Sequence, residues 1–215
     1  YKESVDIKPL KVKDLTSKSV YSNNVMNALE VLKNKNSDLI KVVYSRCKQI
    51  SFQNQVPLIK IFKNLILKHK QNMNFLYTIK DNISVIGSTP ELILSKHNKE
   101  IKSESIAGTN YKNNTDQFIL DEKEVLEQEI VTKYIKDFFN LNTKDILYNE
   151  KPNIKKSSNV EHLWTYFSAS LKNEKSIIQL LDELHPTPAI GGYPKKDAIN
   201  FIKNTNEDRG WYGGP

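Results

Sequence analysis

The sequence contains almost no cysteine and no long apolar segment. Cys47 is the single cysteine among 215 residues, which excludes a disulfide within the chain and leads us to expect a cytoplasmic protein. No apolar run approaches the roughly 18 residues of a membrane span, so we expect no membrane partner. Apolar residues make up 38% and charged residues 27%, a balance typical of a soluble globular protein. We therefore expect a single domain over 1–215 with a sizeable core.

The positive charge of the chain is not organised as in nucleic-acid-binding proteins. The formal net charge is +7, but the lysines are scattered among many asparagines, and paired lysines such as Lys155-Lys156 and Lys195-Lys196 are short. The sequence contains no arginine-rich arm and no repeat of aromatic and basic residues. We therefore expect no nucleic-acid partner, and the positive charge would instead attract a small dianionic substrate.

The hydrophobic pattern predicts strands and helices that come in clusters. Short β-rich or alternating runs predict strands at 39–44, 74–79, 83–87, 91–95, 99–106 and 160–171. Helical periodicity, supported by Pro57 near one start, predicts helices at 23–34, 57–70, 116–140, 176–184 and 195–204. A turn at 81–82 would join two of the strands. Because strands and helices do not alternate strictly, the pattern favours the α+β class.

A segment rich in proline and glycine, 184–194 (LHPTPAIGGYP), is the most informative part of the chain. Its three prolines and two glycines exclude a helix interior and a central strand. Such a segment is either a surface turn or a rigid loop that lines a ligand, with glycines where the backbone must come close. A second glycine-rich segment, 209–215 (RGWYGGP), follows it. Within the second segment, Arg209 is either structural or electrostatic.

Two segments carry residues suited to proton transfer. Lys41 begins KVVYSR in an apolar run, where a lysine either extends to solvent at an edge or is buried as a general base. Glu91 lies in GSTPEL, 87–92, where a glutamate is either solvated or a general acid that keeps its proton near neutral pH.

Three further segments offer donors and ligands for an anion and a cation. Gly108 and Thr109 end SIAGT, which is either a simple strand-end turn or a place of close backbone approach with N–H and hydroxyl donors. Glu124 and Glu127, in DEKEVLEQEIV, share one helix face. Acidic residues there usually complement the helix dipole, but paired carboxylates also suit Mg²⁺. His162, in VEHLWT, lies in a predicted strand, where a core position is the common interpretation.

Taken in order, these segments resemble the chorismate-utilising enzymes: the isochorismate, salicylate, anthranilate and aminodeoxychorismate synthases. The resemblance covers about residues 20–215 and is closest to isochorismate synthases of the menaquinone or siderophore type. It implies a chorismate-binding α+β fold, like that of anthranilate and isochorismate synthases, with large antiparallel sheets flanked by helices. It further implies an isomerase with chorismate as substrate, and we expect a monomer or a weak dimer.

The resemblance also implies a role for each candidate residue. Lys41 would activate water, because ammonia-using members have glutamine at this position, and Glu91 would protonate the departing hydroxyl. Their separation, 91 − 41 = 50 positions, agrees with that of isochorismate synthases. Glu127 would bind Mg²⁺ directly, with Glu124 nearby. The substrate would contact Gly108, Thr109, His162, Ala189, Ile190 and Tyr212.

The sequence ends inside one of the family's motifs. Members continue with a strand bearing a carboxylate-binding arginine, a glycine-rich loop and a second metal-binding glutamate. We therefore expect a longer enzyme truncated at its C-terminus, and also at its N-terminus, where Met is absent. The nearest alternative is salicylate synthase, which adds pyruvate elimination to the same first step. Lys41 argues against an anthranilate synthase component, and its retention with Glu91 and Glu127 argues against a non-catalytic binding protein.

Overall fold

The computed structural model describes residues 7–80, 83–111, 121–157, 160–205 and 209–213. The predicted turn at 81–82 and the predicted helical residues 116–120 lie outside them. The chain divides into two compact units. The first comprises 1–70, 74–88 and 191–214, and the second comprises 71–73, 89–190 and 215. Within the described residues, no helix combines the length and the apolar character that crossing a membrane requires.

Strands and helices occur in both units. The strands are β1 (Pro9–Asp14), β2 (Lys41–Val42), β3 (Lys48–Phe52), β4 (Met73–Lys80), β5 (Ile83–Thr89), β6 (Ser95–His97), β7 (Glu100–Asn110), β8 (Thr143–Tyr148), β9 (Asn153–Ser157), β10 (Val160–Leu171) and β11 (Gly192–Tyr193). The helices are α1 (Lys18–Lys33), α2 (Leu58–Lys68), α3 (Glu122–Asn142), α4 (Ile177–Leu184) and α5 (Lys195–Lys203).

The second unit is built on an antiparallel sheet with β10 at its centre. The strand order is β6-β7-β10-β8, and β9 pairs with another part of β10. Every second residue of β10 is buried, because its side chains alternate between the two faces of the sheet. Leu163 and Phe167 on the buried face are at most 1% exposed. These buried side chains form the face of the sheet against which the helices of this unit pack.

Helices α3 and α4 supply the other half of this core. Val131, Ile135 and Phe139 of α3 are fully buried, and their spacing of four residues places them on one face of the helix. Leu180 and Leu184 of α4 join the same cluster. The α3 helix begins at the side-chain cap Asp121, and α4 begins with a capping box between Ser176 and Gln179. Both helix starts are therefore encoded locally.

The first unit consists of short antiparallel pairs and three helices. Strand β1 pairs with β3, β4 pairs with β5, and β2 pairs with β11. In the last pair, Lys41 is opposite Tyr193 and Val42 is opposite Gly192. The pair is extended by hydrogen bonds from Ile40 N–H to Tyr193 O at 2.8 Å and from Val43 N–H to Gly191 O at 2.9 Å. The end of the proline- and glycine-rich loop is thus bonded to the strand that carries Lys41.

The predicted elements are largely present, with shifted ends. The strand predicted at 160–171 coincides with β10, and the helices predicted at 57–70, 176–184 and 195–204 correspond to α2, α4 and α5. The predicted strands 74–79, 83–87 and 99–106 correspond to β4, β5 and β7. The strand predicted at 39–44 is reduced to β2, because its partner β11 is only two residues long. The helix predicted at 23–34 begins earlier, because Ser17 caps α1.

The prediction of a strand at 91–95 is wrong. Residues 91–94 form no ladder, and β6 begins only at Ser95. They are held instead by individual bonds: Glu104 N–H donates to Leu92 O at 2.9 Å, and Ser103 Oγ donates to Ile93 O at 2.7 Å. A side-chain hydroxyl thus replaces a backbone donor, and the segment leaves the regular register. The α+β class, with antiparallel sheets and flanking helices, is confirmed.

Candidate functional site

The candidate residues are divided between the two units. Lys41 and Tyr212 belong to the first unit. The remaining candidates belong to the second unit: Glu91, Gly108, Thr109, Glu124, Glu127, His162, Ala189 and Ile190. The structure shows several of these second-unit residues in direct contact with each other.

A bulge in β7 places Gly108 at the corner of this cluster. Thr109 pairs with His162 and Ala107 pairs with Leu163, so that Gly108 is the extra residue between two successive pairs. Its φ is +69°, the left-handed conformation that favours glycine and is typical of this kind of bulge. A Cβ atom here would lie 3.1 Å from the backbone oxygen of Glu124. Glycine therefore permits both the bulge and the close approach of α3.

The residues around the bulge form a hydrogen-bonded network. Thr109 N–H donates to Glu124 Oε2 at 2.7 Å. His162 Nδ1 lies 3.1 Å from Gly108 O and 3.2 Å from Thr109 Oγ1. Since a carbonyl oxygen only accepts hydrogen bonds, Nδ1 carries a proton when it bonds to Gly108. The Thr109 N–H therefore binds the carboxylate of Glu124 in this structure.

Glu124 and Glu127 face a common positive charge. The ammonium nitrogen of Lys123 lies 2.5 Å from Glu124 Oε1 and 3.8 Å from Glu127 Oε2. The hydrogen bond to Glu124, together with nearby carboxylate charges, raises the pKa of Lys123. The same two carboxylates therefore have the placement and the chemistry to bind a cation.

The donor set fits one part of a Mg²⁺ site. Mg²⁺ is commonly bound by one or two carboxylates, while water and substrate oxygens complete its coordination. Glu124 and Glu127 supply two such carboxylates. In the part of the chain that the structure describes, no group of three or more histidine, cysteine or acidic side chains converges on one point. The described residues can thus hold the ion only together with other oxygen ligands.

A buried glutamine, Gln128, fixes α3 against the sheet next to these carboxylates. Gln128 is 2% exposed, and its Nε2 lies 3.2 Å from Ser105 O and 3.3 Å from Thr165 Oγ1. Ser105 Oγ also lies 3.0 Å from Thr132 Oγ1 of α3. These bonds set the position of the helix relative to β7. Gln128 was not among the residues identified from the sequence. Two features could have indicated it: it directly follows the predicted metal ligand Glu127, and it is on the same helix face as Val131.

Glu91 is half-buried in the irregular segment that precedes β6. Its N–H lies 3.4 Å from Thr89 Oγ1. The preceding residue, Pro90, accepts a hydrogen bond from Lys155 Nζ at 2.7 Å. The backbone on either side of Glu91 is therefore held by specific contacts, even though no strand forms there.

In the first unit, the backbone around Lys41 is held closely. Gly192 has a φ of +145°, and a Cβ atom there would lie 2.2 Å from Lys41 O. The Arg209 guanidinium donates a hydrogen bond to Val43 O, which gives Arg209 a structural role. Lys41 itself is half-buried. A side chain at position 192 would therefore clash with the strand that carries Lys41, so that glycine is required there.

Ala189, Ile190 and Tyr212 lie in loops. Ile190 N–H donates to Thr187 O at 3.2 Å, and Ala189 packs against the core cluster of the second unit. The Thr187 side chain is buried, so this part of the loop follows a fixed path. Tyr212 is 73% exposed, and its N–H donates to Arg209 O at 2.8 Å. Its phenol ring therefore remains accessible to a ligand.

Comparison with known sequences gives consistent matches. A family model described as chorismate binding enzyme matches residues 2–215. The chain is 28% identical to the isochorismate synthase of Bacillus subtilis over 201 residues, which cover 89% of this chain and 42% of that protein. It is 27% identical to the chloroplastic isochorismate synthase 2 of Arabidopsis thaliana over 223 residues, covering 100% of this chain and 40% of that protein. The chain thus spans about two fifths of the length of these relatives.

Comparison with solved structures confirms the chorismate-binding fold expected from the sequence. The menaquinone-specific isochorismate synthase of Escherichia coli superposes with a TM-score of 0.86 at 21% identity, covering 98% of this chain and 50% of that one. Anthranilate synthase component I of Streptococcus pneumoniae gives 0.84 at 22% identity, covering 99% and 48%. At these identities the likeness shows the fold alone. Because both enzymes share it, the fold alone does not identify the reaction.

Proposed function

This chain belongs to the chorismate-binding enzyme family, and we propose that it acts as an isochorismate synthase with water as the nucleophile and Mg²⁺ as the cofactor. The observation that carries the proposal is the lysine at position 41, on the strand that is bonded to the proline- and glycine-rich loop. Sequence relatives named isochorismate synthase, from Bacillus subtilis and Arabidopsis thaliana, support it. The proposed reaction is an isomerisation of chorismate.

Lys41 is the proposed base. An unprotonated lysine amine accepts a proton from water, and the water oxygen bonds to the ring carbon beside the one that bears the carboxylate. The two ring double bonds each shift by one position toward the carbon that loses its hydroxyl. The strand around Lys41 is fixed by the close approach of Gly192 and by the hydrogen bond from Arg209 to Val43. A base with a fixed backbone loses little freedom on reaching the reactive geometry, which favours the reaction.

Glu91 is the proposed acid. As the new bond to the water oxygen forms, the bond between the ring and the original hydroxyl breaks, and Glu91 donates the proton with which that hydroxyl leaves as water. One water is therefore consumed and one is released, so that chorismate and isochorismate have the same composition. The position of Glu91 supports this role, since the half-buried residue lies in a backbone segment held by contacts of Thr89 and Pro90, which helps to aim its carboxyl.

The corner at the β7 bulge is the proposed site for the ring carboxylate and the metal. Glu127 and Glu124 would hold Mg²⁺, and the Thr109 hydroxyl, with Gly108 and His162 beside it, would donate to a substrate oxygen. When bound, the ion supplies Lewis-acid polarisation and neutralises charge near the ring carboxylate. The support for this assignment is that the Thr109 N–H and the ammonium of Lys123 both contact the carboxylate of Glu124 and so fix its position at the bulge.

The remaining substrate contacts follow from the two loops. The backbone groups of Ala189 and Ile190 would line the ring, and this needs no special side chain. The Tyr212 hydroxyl would donate to the enolpyruvyl carboxylate, which its high exposure supports.

The experiment that tests the proposed function is a product assay. The full-length protein is incubated with chorismate and Mg²⁺, with and without ammonia, and the products are separated by chromatography. We expect isochorismate without ammonia, and no turnover after Lys41→Ala. Lys48→Ala is the matched control, because Lys48 lies on β3 and pairs with Asp14 at 3.5 Å; it should retain activity.

Other products would assign the chain differently. Salicylate with pyruvate would identify a salicylate synthase, which continues from isochorismate by eliminating pyruvate. Anthranilate formed only with ammonia would show that Lys41 is not a base for water, and would refute the proposed nucleophile. Unchanged turnover in Lys41→Ala would remove Lys41 as the base.

A further inference from the structure

We infer that Lys155 is a positioning residue for Glu91, acting together with Glu104; the inference rests on the proposed function of Glu91 as the acid. Lys155 Nζ donates to Pro90 O at 2.7 Å and to Glu104 Oε2 at 2.7 Å. Pro90 immediately precedes Glu91 in the chain. The Lys155 ammonium therefore connects the backbone beside the proposed acid to a carboxylate on β7.

The connection crosses the sheet over a tryptophan. Lys155 on β9 is opposite His162, and Glu104 on β7 is opposite Tyr166. His162, Trp164 and Tyr166 alternate along β10 and so share one face of the sheet. The Lys155 Nζ lies 5.7 Å from the centre of the Trp164 ring, a cation–π distance. The lysine stem thus extends along this face from β9 across β10 toward β7.

The Lys155–Glu104 ion pair is shielded from solvent. The Lys155 and Glu104 side chains are 23% and 15% exposed, whereas that of the neighbouring Lys156 is 71% exposed. Long, solvated lysine side chains make weak ion pairs. A shielded, charge-assisted pair with two short hydrogen bonds is stronger and holds its partners in one geometry. Of the adjacent lysines 155 and 156, only Lys155 is thus placed to hold a backbone segment.

Glu104 holds the segment at a second point. Its own N–H donates to Leu92 O at 2.9 Å, while its carboxylate binds the lysine that holds Pro90 O. Glu91 is the residue between these two anchored carbonyls. Residues 91–94 lack strand pairing. The position of the Glu91 backbone is therefore fixed by these contacts and not by the hydrogen bonds of a β-ladder.

The test compares Lys155→Met with two matched variants in the full-length protein. Lys155→Arg keeps the charge and the donors. Lys96→Met removes another shielded lysine of the same sheet, 15% exposed, whose ammonium lies 2.9 Å from Glu174. We expect Lys155→Met to lower kcat about 100-fold with KM changed less than threefold, because a misplacement of about 1 Å costs roughly that factor. We expect the kcat of Lys155→Arg to be at least tenfold higher than that of Lys155→Met. The kcat of Lys96→Met should equal that of the wild type.

A double-mutant cycle with Glu91→Gln separates positioning from general stability. If Lys155 acts through Glu91, then Lys155→Met should lower kcat less than threefold in the Glu91→Gln background. In parallel, hydrogen exchange of the 88–94 backbone should be faster in Lys155→Met than in Lys96→Met. An equal loss of kcat with and without Glu91, or unchanged exchange at 88–94, would overturn the inference.

Failure of the inference and failure of the proposed function give different results. Wild-type turnover in Lys155→Met, while the wild-type protein makes isochorismate, overturns the role of Lys155 alone. A wild-type protein that does not consume chorismate refutes the proposed function and with it the role of Lys155.

Discussion

Replacement of Gly192 by alanine should displace the strand that carries Lys41. The φ of Gly192 is +145°, and an added Cβ would lie 2.2 Å from Lys41 O and 2.8 Å from the Cβ of Ala198. Neither neighbour is the end of a flexible side chain: one is a backbone carbonyl, and the other is a fully buried alanine of α5. The backbone of β2 or of β11 must therefore move.

The expected cost can be worked from these contacts. A non-glycine residue in such a conformation carries about 1 to 3 kcal/mol of backbone strain. Separation of the strands would also weaken the flanking bonds from Ile40 N–H at 2.8 Å and Val43 N–H at 2.9 Å, each worth about 1 kcal/mol. We expect Gly192→Ala to lower the free energy of unfolding by about 4 kcal/mol. A shift of about 1 Å at Lys41 should also lower kcat about 100-fold.

Gly210 provides the matched control for this experiment. Its φ is also positive, +49°, but a Cβ atom there would meet nothing within 4 Å. Gly210→Ala should therefore cost only about 1 kcal/mol of conformational strain and leave kcat within about threefold of the wild-type value. Urea denaturation gives the free energies of unfolding, and chorismate turnover gives kcat. Equal effects of the two substitutions, or wild-type kcat in Gly192→Ala, would refute the argument that close approach to Lys41 requires glycine.

Three further predictions concern the cation site and the stability of the second unit. Glu124→Gln should raise the Mg²⁺ concentration for half-maximal turnover about tenfold, since an amide is a weaker ligand than a carboxylate, whereas the control Glu122→Gln in the same helical turn should not. Lys123→Met should lower that concentration about fivefold, because its ammonium, 2.5 Å from one predicted ligand, repels the ion; an unchanged Mg²⁺ titration would place the metal elsewhere. Burial raises the pKa of Tyr134 to about 12, above the value of about 10 for an unfolded chain. The stability that this shift contributes is therefore complete below pH 10 and is lost as the pH rises toward 12. Urea titrations at several pH values measure the free energy of unfolding. Between pH 10 and 12 it should fall less in Tyr134→Phe than in the wild type, and an equal dependence on pH would contradict this.

The sequence predicted best those elements in which one face is buried. Every second residue of β10 is buried, and its bounds were predicted correctly from a run rich in aromatic and β-branched residues. Strands β1 and β3 were missed, although Leu10 and Val12 of β1 alternate with lysines, because both strands are short and nearly all of their residues are exposed. The segment 91–94 looked like a strand because of its apolar residues, but its carbonyls accept individual bonds, from Glu104 N–H to Leu92 O and from the Ser103 hydroxyl to Ile93 O, and form no ladder.

The candidate site was accessible to sequence reasoning only one residue at a time. Resemblance singled out Glu124 and Thr109 separately, but their 2.7 Å hydrogen bond depends on the bulge at Gly108 and on how α3 lies against β7. The bulge in turn depends on the register between β7 and β10, which no local pattern encodes. Lys155 was seen only as part of a short basic pair, because its partners lie 51 and 65 positions away. Contacts of this kind require the assembled sheet.

The central claim, that water activated by Lys41 supplies the new ring hydroxyl, is tested most directly by an isotope experiment. The full-length protein converts chorismate in water enriched in ¹⁸O, and early product is analysed by mass spectrometry. The account predicts isochorismate that carries one ¹⁸O in its ring hydroxyl, with this product absent in Lys41→Ala. Isochorismate without the label would show that the hydroxyl does not come from water, and would contradict the account.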